Sequence, residues 1–210
     1  MSKPFAPSAD RNKAPILEVL KPLLPGKPLV LELGSGTGQH ACFLAAELPD
    51  VLWQPTELAS NIDGIRQWLA EHDLSNVHEP VVLDVNVHPW PIDRADVCFT
   101  CNTFHIVSEA SVRSIFEGAR AVLGAMGKLC VYGPFMIDGQ HVGPGNEDFH
   151  QWLLDSDPES GVRDLTELDR LAQVCGFAVS QRIEMPANNF MVVWEVARTS
   201  GQSEHNEEHA

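Results

Sequence analysis

The fold can be read from a stretch near the start of the chain, "LVLELGSGTGQH" (residues 29–40). Branched apolar residues typical of a buried strand run into three glycines, Gly34, Gly36 and Gly38, and the helical pattern "HACFLAAEL" follows at once. A strand, a glycine loop and a helix in this order place the loop at the carboxyl edge of a parallel sheet, where α/β folds bind ligands. The stretch therefore predicts a ligand site as well as a fold class.

The rest of the chain repeats the alternation of short apolar runs with helical patterns, which is typical of parallel strands joined by crossover helices. Helix-start signals agree with this reading: Pro15 after Asn12, Ser60 with Asp63, Ser108, and Asp164 with Glu167. Seven strands are predicted, at residues 29–33, 51–57, 79–84, 95–101, 128–133, 177–184 and 190–197. The predicted class is α/β.

The chain length and the positions of the Gly- and Pro-rich and polar segments predict one domain. A chain of 210 residues is long enough for one sizeable core and short for two. We expect the domain to span residues 1–198, with a Gly- and Pro-rich, lid-like insertion at about 134–163. Residues 199–210 are too polar to bury a core and are expected to form a disordered acidic tail.

Charge and hydropathy exclude some partners. The formal net charge of -15 argues against nucleic acid, because affinity for nucleic acid comes largely from Lys and Arg neutralising phosphates. No apolar run approaches the roughly 20 residues that a membrane helix needs, and residues 1–11 lack the apolar centre of a signal peptide. We expect a soluble cytoplasmic protein that binds neither nucleic acid nor membrane.

The cysteines are expected to be reduced and buried, because their number, five, is odd and they are scattered through apolar segments. Cys98 and Cys101 have CxxC spacing, but residues three apart in a strand point to opposite faces, and no second pair completes four ligands. No metal site is predicted.

Three ligands compete for the glycine loop. A P-loop requires a Lys followed by Ser or Thr, which Gln39 and His40 do not provide, and a dinucleotide motif requires glycine where Gln39 stands. A carboxylate at Glu32, facing the loop, would repel a pyrophosphate and suit a ligand with positive charge. A nicotinamide-dependent oxidoreductase is therefore disfavoured.

S-adenosylmethionine is such a ligand, since the positive charges of its sulfonium and ammonium groups complement the negative charge of Glu32. Glu57 ends the next strand, where a carboxylate can accept both ribose hydroxyls. Asp84 ends the third strand and could accept from the adenine amino group, while the amide of Val85 reaches the ring. Glu57 or Asp84 alone would equally suit a helix cap or a turn, but with the ExGxGxG loop they predict the cofactor site.

The segments "ELGSGTG", "WQPTEL" and "LDV" resemble the Rossmann-like class I S-adenosylmethionine-dependent methyltransferases over about residues 29–135. Over nearly the whole chain, "SADRNKAPIL", "CNTFHI", "YGPF", "GVRDL" and "MPANN" are similar to the uncharacterised methyltransferase-like 26 family. The resemblance implies strand order 3-2-1-4-5-7-6 with the last strand antiparallel, helices on both faces, and a methyltransferase of undefined substrate. Glu57 stands where that pattern often shows Asp, which keeps the carboxylate but lengthens its reach.

Candidate catalytic residues follow the fourth and fifth strands. Asn102 and His105 lie in "CNTFHI", at the edge expected beside the methyl group, and Asn102 could also contact the cofactor. His105 could act as a base with a pKa near neutrality, or simply pack as a hydrogen-bonded histidine. Tyr132, the only tyrosine, could bind the acceptor or fill the sheet edge.

The acceptor is expected to be a small molecule, because "CNTF" differs from the [DN]PP[YFW] signature of the enzymes that methylate exocyclic amines of nucleic acids. Candidate contacts are Arg11, Asn12, Phe135, Trp152, Asn188 and Asn189, although Asn12 could instead cap a helix and the last two could instead hold a turn. Residues 135–163 are expected to be a mobile cover that packs Phe149, Trp152 and Leu153 onto the acceptor. A non-catalytic cofactor-binding scaffold stays open as an alternative, and the sequence leaves the oligomeric state undefined.

Overall fold

The computed structural model describes residues 3–198. Within them, helices and strands alternate along the chain as follows: α1 (Pro7–Leu20), a 3-10 turn (Lys21–Leu23), β1 (Leu29–Glu32), α2 (Gln39–Glu47), β2 (Leu52–Glu57), α3 (Ile62–Leu69), β3 (Val81–Val82), β4 (Ala95–Cys101), α4 (Glu109–Val122), β5 (Leu123–Ile137), β6 (Gln140–His141), α5 (Asn146–Ser156), β7 (Arg163–Asp164), α6 (Leu165–Val174), β8 (Phe177–Met185) and β9 (Asn189–Val196).

Seven strands form one sheet in the order β3-β2-β1-β4-β5-β9-β8. Numbered along the chain, this is the predicted order 3-2-1-4-5-7-6. The last strand, β9, runs antiparallel to both of its neighbours, while β1, β2, β3, β4 and β5 are parallel to one another. The short β6 and β7 both pair with the far end of β5. The predicted α/β fold and its topology are confirmed.

Helices cover both faces of the sheet. One apolar cluster contains buried residues of α4 and α6, and a second contains buried residues of α1 and α2. Helix α4 illustrates why, because Val112, Ile115, Phe116 and Ala119 repeat at the spacing of one helical face and are all buried. Cys98 packs in the first cluster and Cys101 against the second, so the two thiols of the CxxC motif do lie on opposite faces. All five cysteines are free thiols.

Several predicted boundaries are wrong. Helix α1 begins at Pro7, so Pro15 lies inside the helix rather than in its first turn. The third strand is two residues long, and the fifth extends to Ile137 because β6 and β7 continue its pairing. Ser60 does not cap α3, whose N-cap is Asn61 with no side-chain hydrogen bond. Ser108 and Asp164 do cap α4 and α6, as predicted.

The insertion at residues 134–163 is more regular than expected, since it contains β6, α5 and β7. Its C-terminal end is bound to the loop after β4. The amide of Gly161 donates to the carbonyl of His105 (2.9 Å), and Arg163 Nε donates to the carbonyl of Phe104 (3.1 Å). The predicted tail, residues 199–210, lies outside the described residues. Among residues 3–198, no helix has the length and apolar character needed to cross a bilayer.

A tight contact in α4 fixes the loop after β3. The backbone of Gly118 lies against the ring of Trp90, which leaves no room for a side chain at residue 118. Trp90 in turn donates through its indole nitrogen to the carbonyl of Val85 (3.2 Å), and Ser114 Oγ donates to the same carbonyl (2.6 Å). The position of Val85 and Asp84 therefore depends on how closely Trp90 approaches the helix.

We predict that Gly118→Ala destabilises the protein by about 1–3 kcal/mol, because the added methyl group overlaps the Trp90 ring. Helix propensity alone predicts the opposite sign, a gain of about 1 kcal/mol. Urea unfolding measures the difference. The control is Gly124→Ala, where an added methyl group meets nothing within 4 Å and the change should stay within about 0.5 kcal/mol. A stabilised Gly118→Ala protein would contradict the prediction.

Candidate active site

The glycine loop joins β1 to α2 at the carboxyl edge of the sheet. Gly36 has a φ of 57°, and a methyl group added there would meet nothing within 4 Å, so its backbone borders open space. Gly38 has a φ of 90°, and a methyl group there would lie 2.9 Å from the Cα of Ile65 in α3. Gly38 therefore permits close helix packing, while Gly36 leaves the backbone accessible to a ligand.

Glu57, at the end of β2, is bonded to this loop. Its Oε2 accepts from the Gly36 amide (3.1 Å), and its Oε1 accepts from the Leu58 amide (3.0 Å) and from Asn61 Nδ2 (3.1 Å). A carboxylate offers about four acceptor positions, and three are used. Glu57 can therefore accept one ligand hydroxyl as it stands, and accepting a second would displace Asn61. This corrects the expectation that both ribose hydroxyls find free positions.

Asp84 and Val85 lie beside Glu57. The amide of Leu83 donates to the Glu57 carbonyl (3.0 Å), which brings the end of the third strand to the same edge. Asp84 is exposed, and its Oδ1 accepts from the Asn86 amide (2.9 Å), so one of its oxygens serves a turn and the other faces solvent. The carbonyl of Val85 is held by Trp90 and Ser114.

Glu32 is almost fully buried at the base of the glycine loop. Its Oε2 accepts from the indole nitrogen of Trp53 (2.8 Å), and only 1% of the residue is exposed. Burial raises the pKa of Glu32 to about 7, and the nearby Glu57 adds to the rise, while the hydrogen bonds from Trp53 and Ser35 oppose it. The hydrogen bond from Ser35 joins Glu32 to the glycine loop, and the predicted contact of Glu32 with the cofactor stays a prediction.

The end of β4 lies next to the glycine loop. Asn102, which follows the strand, has the left-handed φ of 58° that asparagine tolerates better than most residues. Its amide donates to the carbonyl of Tyr132 (2.8 Å), and this bond continues the pairing of β4 with β5. Thr103 Oγ1 approaches within 3.3 Å of the position of a methyl group on Gly34. Asn102 therefore lies between the glycine loop and the middle of β5.

A cavity of about 720 Å³ opens beside Asn102, a size typical of sites for small molecules. Its walls come from five separate parts of the chain: α1, the segment after β4, the middle of β5, α5 and the turn between β8 and β9. The lining residues are Ser8, Arg11, Asn12, Pro15, Asn102, His105, Ile106, Tyr132, Pro134, Asn146, Phe149, Pro186, Ala187 and Asn189.

His105 and Tyr132 are both buried at this cavity and both carry shifted pKa values. Burial, together with a smaller effect of the positive charge of Arg163, lowers the pKa of His105 to about 4. Burial likewise raises the pKa of Tyr132 to about 12. Both side chains are therefore neutral at pH 7. The prediction that His105 titrates near neutrality is wrong for this arrangement, because its surroundings are apolar on one side and cationic on the other.

A buried polar group that the sequence analysis missed connects α1 to the sheet. His40, in the first turn of α2, donates from Nε2 to Asn12 Oδ1 (2.7 Å), while Asn12 Nδ2 points at the sulfur of Cys101 (3.6 Å). A hydrogen bond from Asn12 also opposes the rise in the Tyr132 pKa. Asn12 lies inside α1 and does not cap it. The histidine that follows the glycine loop is the sequence feature that could have indicated this buried polar group.

Three residues predicted to contact the acceptor lie elsewhere. Phe135 is 1% exposed in the core, because this part of β5 is covered on that face by α6. Trp152 is 60% exposed on the outer side of α5, where it stacks on Phe149 (ring centres 5.9 Å apart). Asn188 packs its side chain against Gly143 and is absent from the cavity wall. Arg11, Asn12 and Asn189 do line the cavity.

Other cavity residues were not predicted as acceptor contacts, notably Ile106, Pro134 and Asn146. Each comes to the wall through a long-range contact that a sequence pattern does not record. Asn146, for example, starts α5 and donates to the carbonyl of Asn188 (3.4 Å) across the turn between β8 and β9. Within residues 3–198, His, Cys, Asp and Glu side chains form no group of three that could hold a metal ion.

The fold is shared with solved methyltransferases. Human N-acetylserotonin methyltransferase in complex with SAM has a TM-score of 0.76 at 16% identity, over 89% of this chain and 52% of that chain. CalO1, a methyltransferase in calicheamicin biosynthesis in its SAH-bound form, has a TM-score of 0.73 at 17% identity, over 91% of this chain and 54% of that chain. Mitomycin 7-O-methyltransferase MmcR has a TM-score of 0.77 at 16% identity, over 89% of this chain and 54% of that chain. The chain spans about half the length of these proteins, and the likeness establishes a Rossmann-like methyltransferase fold.

A family also matches in sequence. The match runs over residues 3–196, which is nearly all of the part of the chain that the structure describes, and the family's description is "Protein of unknown function (DUF938)". The chain belongs to this family.

Proposed function

We propose that this protein is an S-adenosylmethionine-dependent methyltransferase that acts on a small molecule. One observation carries the proposal: a glycine loop with its acidic partners and a cavity of about 720 Å³ share one edge of a methyltransferase-type sheet, with Asn102 between them. A non-catalytic scaffold protein would need the glycine loop and its acidic partners but not the cavity. The solved structures with this fold include complexes with SAM and SAH, which supports the choice of cofactor.

The residues at the loop fit this cofactor. The open space above Gly36 admits a ligand against the backbone, and Glu57 keeps one acceptor position for a ribose hydroxyl. Asp84 keeps one carboxylate oxygen for the adenine amino group, and Val85 follows it along the edge. We assign cofactor binding to Gly34, Gly36, Gly38, Glu57, Asp84, Val85 and Asn102, with Glu32 acting through its charge.

The cavity residues would position the acceptor. When bound, S-adenosylmethionine supplies an already activated methyl group, so the chain mainly has to orient the nucleophile. Tyr132 can donate a hydrogen bond, and neutral His105 can accept one from a hydroxyl of the acceptor. Complete proton transfer to His105 is unfavourable while its pKa stays near 4, so we assign it orientation of the acceptor first.

Helix α5 would close the cavity. Phe149 meets the ring of His105 edge-on, with ring centres 5.3 Å apart, and Asn146 completes the wall. Because Arg163 and Gly161 tie the end of the insertion to the loop after β4, we place any movement in residues 138–149. There Gly139, Gly143 and Gly145 all have positive φ values. We retain the single domain at residues 1–198 as part of this proposal.

We also propose that the chain is a relative of the methyltransferase-like 26 family. The motifs that carry this resemblance lie far apart in sequence, and four of them contribute to one cavity: "SADRN" through Arg11 and Asn12, "CNTFHI" through Asn102 and His105, "YGPF" through Tyr132 and Pro134, and "MPANN" through Pro186 and Asn189. A shared set of cavity residues is the simplest reason for such a pattern. The strongly acidic charge supports a small-molecule acceptor over nucleic acid.

We predict that Glu57→Ala weakens binding of S-adenosylhomocysteine by about tenfold or more, because the ligand loses an acceptor and the loop loses its bond at Gly36. Isothermal titration calorimetry measures the change. Asp63→Ala is the control, since Asp63 is an exposed acid of α3 that pairs only with Arg66 and should leave affinity unchanged. Equal affinity in Glu57→Ala and wild type would exclude the assigned site.

We predict that S-adenosylmethionine binds more tightly as pH rises towards 7 and that its affinity levels off above that pH. A cationic ligand favours ionised Glu32, whose pKa is about 7 in the free protein and falls in the complex. Binding near pH 6.5 should therefore release protons, which titrations in buffers of different ionisation enthalpy detect. Glu32→Gln should remove both effects. A proton release of the same size in that variant would show that another group is responsible.

We predict that Phe149→Ala lowers methyl transfer at least about tenfold while changing S-adenosylhomocysteine affinity less than about twofold. The side chain forms the cavity wall against His105 and lies away from the glycine loop. Transfer of labelled methyl groups to a metabolite extract measures the first quantity and calorimetry the second. Gln151→Ala, on the exposed side of the same helix, is the control. Equal losses of binding and transfer would contradict separate cofactor and acceptor regions.

A further inference from the structure

We infer that the acceptor is a small organic anion whose acidic group is bound by Arg11, with its reacting hydroxyl at the opposite, buried end of the cavity. The inference rests on the proposed methyl transfer and adds a substrate class to it. Four features of the cavity carry the inference: its charge, the placement of the nearby acids, the polar groups at its buried end and its apolar walls.

The cavity has an unusual charge for this protein. Asp and Glu outnumber Lys and Arg by 29 to 14 in the chain, yet Arg11 is the one charged residue among those that line the cavity. The salt bridges found in residues 3–198 do not include Arg11. Its guanidinium is therefore available, and its planar donors match a carboxylate or a phosphate.

The acids next to cavity residues along the chain do not line the cavity. Asp10, next to Arg11 in α1, pairs with Lys13, and Glu147 and Asp148 in the first turn of α5 are exposed and absent from the cavity wall. Asn146 begins α5 at the wall, so the positive end of this helix also lies at the cavity. An anion bound there meets one cation and no lining carboxylate.

The buried end of the cavity holds polar groups that can still form hydrogen bonds. His105 is only 5% exposed, and the hydrogen bonds found in residues 3–198 do not include its ring. In this range the buried side-chain nitrogen or oxygen without a partner is His141 Nδ1, so the ring nitrogens of His105 reach the cavity and can bind a ligand there. Tyr132 lies at the same end and can donate its hydroxyl proton. The reacting hydroxyl of the acceptor would satisfy both side chains.

Apolar side chains form other parts of the cavity wall. Ile106 is 50% exposed although it borders the cavity, and Phe149 faces His105 edge-on. Pro15 and Pro134 add further apolar wall. A compact apolar body between the anionic group and the hydroxyl would cover these side chains. The cavity volume of about 720 Å³ fits such a molecule.

The experiment uses the full chain with S-adenosylmethionine carrying a radiolabelled methyl group. A metabolite extract is first separated by ion exchange into anionic, neutral and cationic fractions, and transfer to each fraction is measured. We expect most of the label to appear with the anionic fraction. Phosphatase treatment of that fraction before the reaction then distinguishes a phosphate ester, which loses activity, from a carboxylate, which keeps it.

Arg11 is tested with matched variants. Arg11→Gln should lower transfer to the anionic fraction about tenfold or more with S-adenosylhomocysteine affinity intact, and Arg11→Lys should restore part of it because it keeps the charge. Lys21→Gln, which removes an equal charge from an exposed position after α1, should leave transfer unchanged. Calorimetry with S-adenosylhomocysteine shows for each variant that the protein is folded and that the cofactor site is intact.

Two outcomes would overturn the inference while leaving the proposed function in place: label that appears mainly with the neutral or cationic fraction, or an Arg11→Gln protein as active as wild type on the anionic fraction. Absence of transfer to every fraction, with S-adenosylhomocysteine still bound, would overturn the methyltransferase proposal and this inference with it. Absence of S-adenosylhomocysteine binding in the wild type would remove the cofactor assignment itself.

Discussion

The hydrogen bond from the Gly36 amide to Glu57 is the contact on which the arrangement of the site depends. It ties the glycine loop to the end of β2 before any ligand is present. Neighbouring bonds reinforce it, since the Ser35 amide donates to the Thr56 carbonyl (2.9 Å) and Thr56 Oγ1 donates to the Glu32 carbonyl (2.7 Å). A loop held in this way loses little further entropy when a ligand binds, which is how preorganised sites gain affinity.

Burial sets the charges around this site in two opposite ways. It raises the pKa of Glu32 and lowers that of His105, because an apolar environment disfavours the charged form of either group. The two groups lie on either side of the site, one under the loop and one at the cavity. A positive ligand at the loop would favour ionised Glu32. His105 stays neutral, so its ring can accept a hydrogen bond in the cavity.

The sequence predicts the sheet well because its strands and the glycine loop carry local signals. The strand order follows from the resemblance, and the loop at Gly36 with Glu57 at the next strand end follows from spacing along the chain. The caps at Ser108 and Asp164 are local too. Such features are determined by residues a few positions apart, so a pattern is enough to find them.

The residues that line the cavity are harder to predict, because tertiary contacts determine which face of a helix or strand turns inward. Trp152 and Phe149 are three residues apart on α5, yet one is exposed and the other lines the cavity. Phe135 lies in the extended end of β5, where the pairing with β7 and the packing of α6 place it in the core. Helix α1 starts eight residues before Pro15 because Pro7 opens it, and that earlier start is what brings Ser8 and Arg11 to the cavity.

The N-terminal segment joins the two halves of the site. The Ala6 amide donates to Gln39 Oε1 (2.6 Å) at the end of the glycine loop, and α1 continues from there along the cavity. Gln39 also accepts from Thr37 Oγ1 (3.0 Å) within the loop. A dinucleotide site would carry glycine at this position, which has no side chain to make either bond. The residue that departs from that motif thus attaches helix α1 at the cavity wall to the glycine loop, so a shift of the loop would be transmitted to Asn12 and Arg11 through one helix.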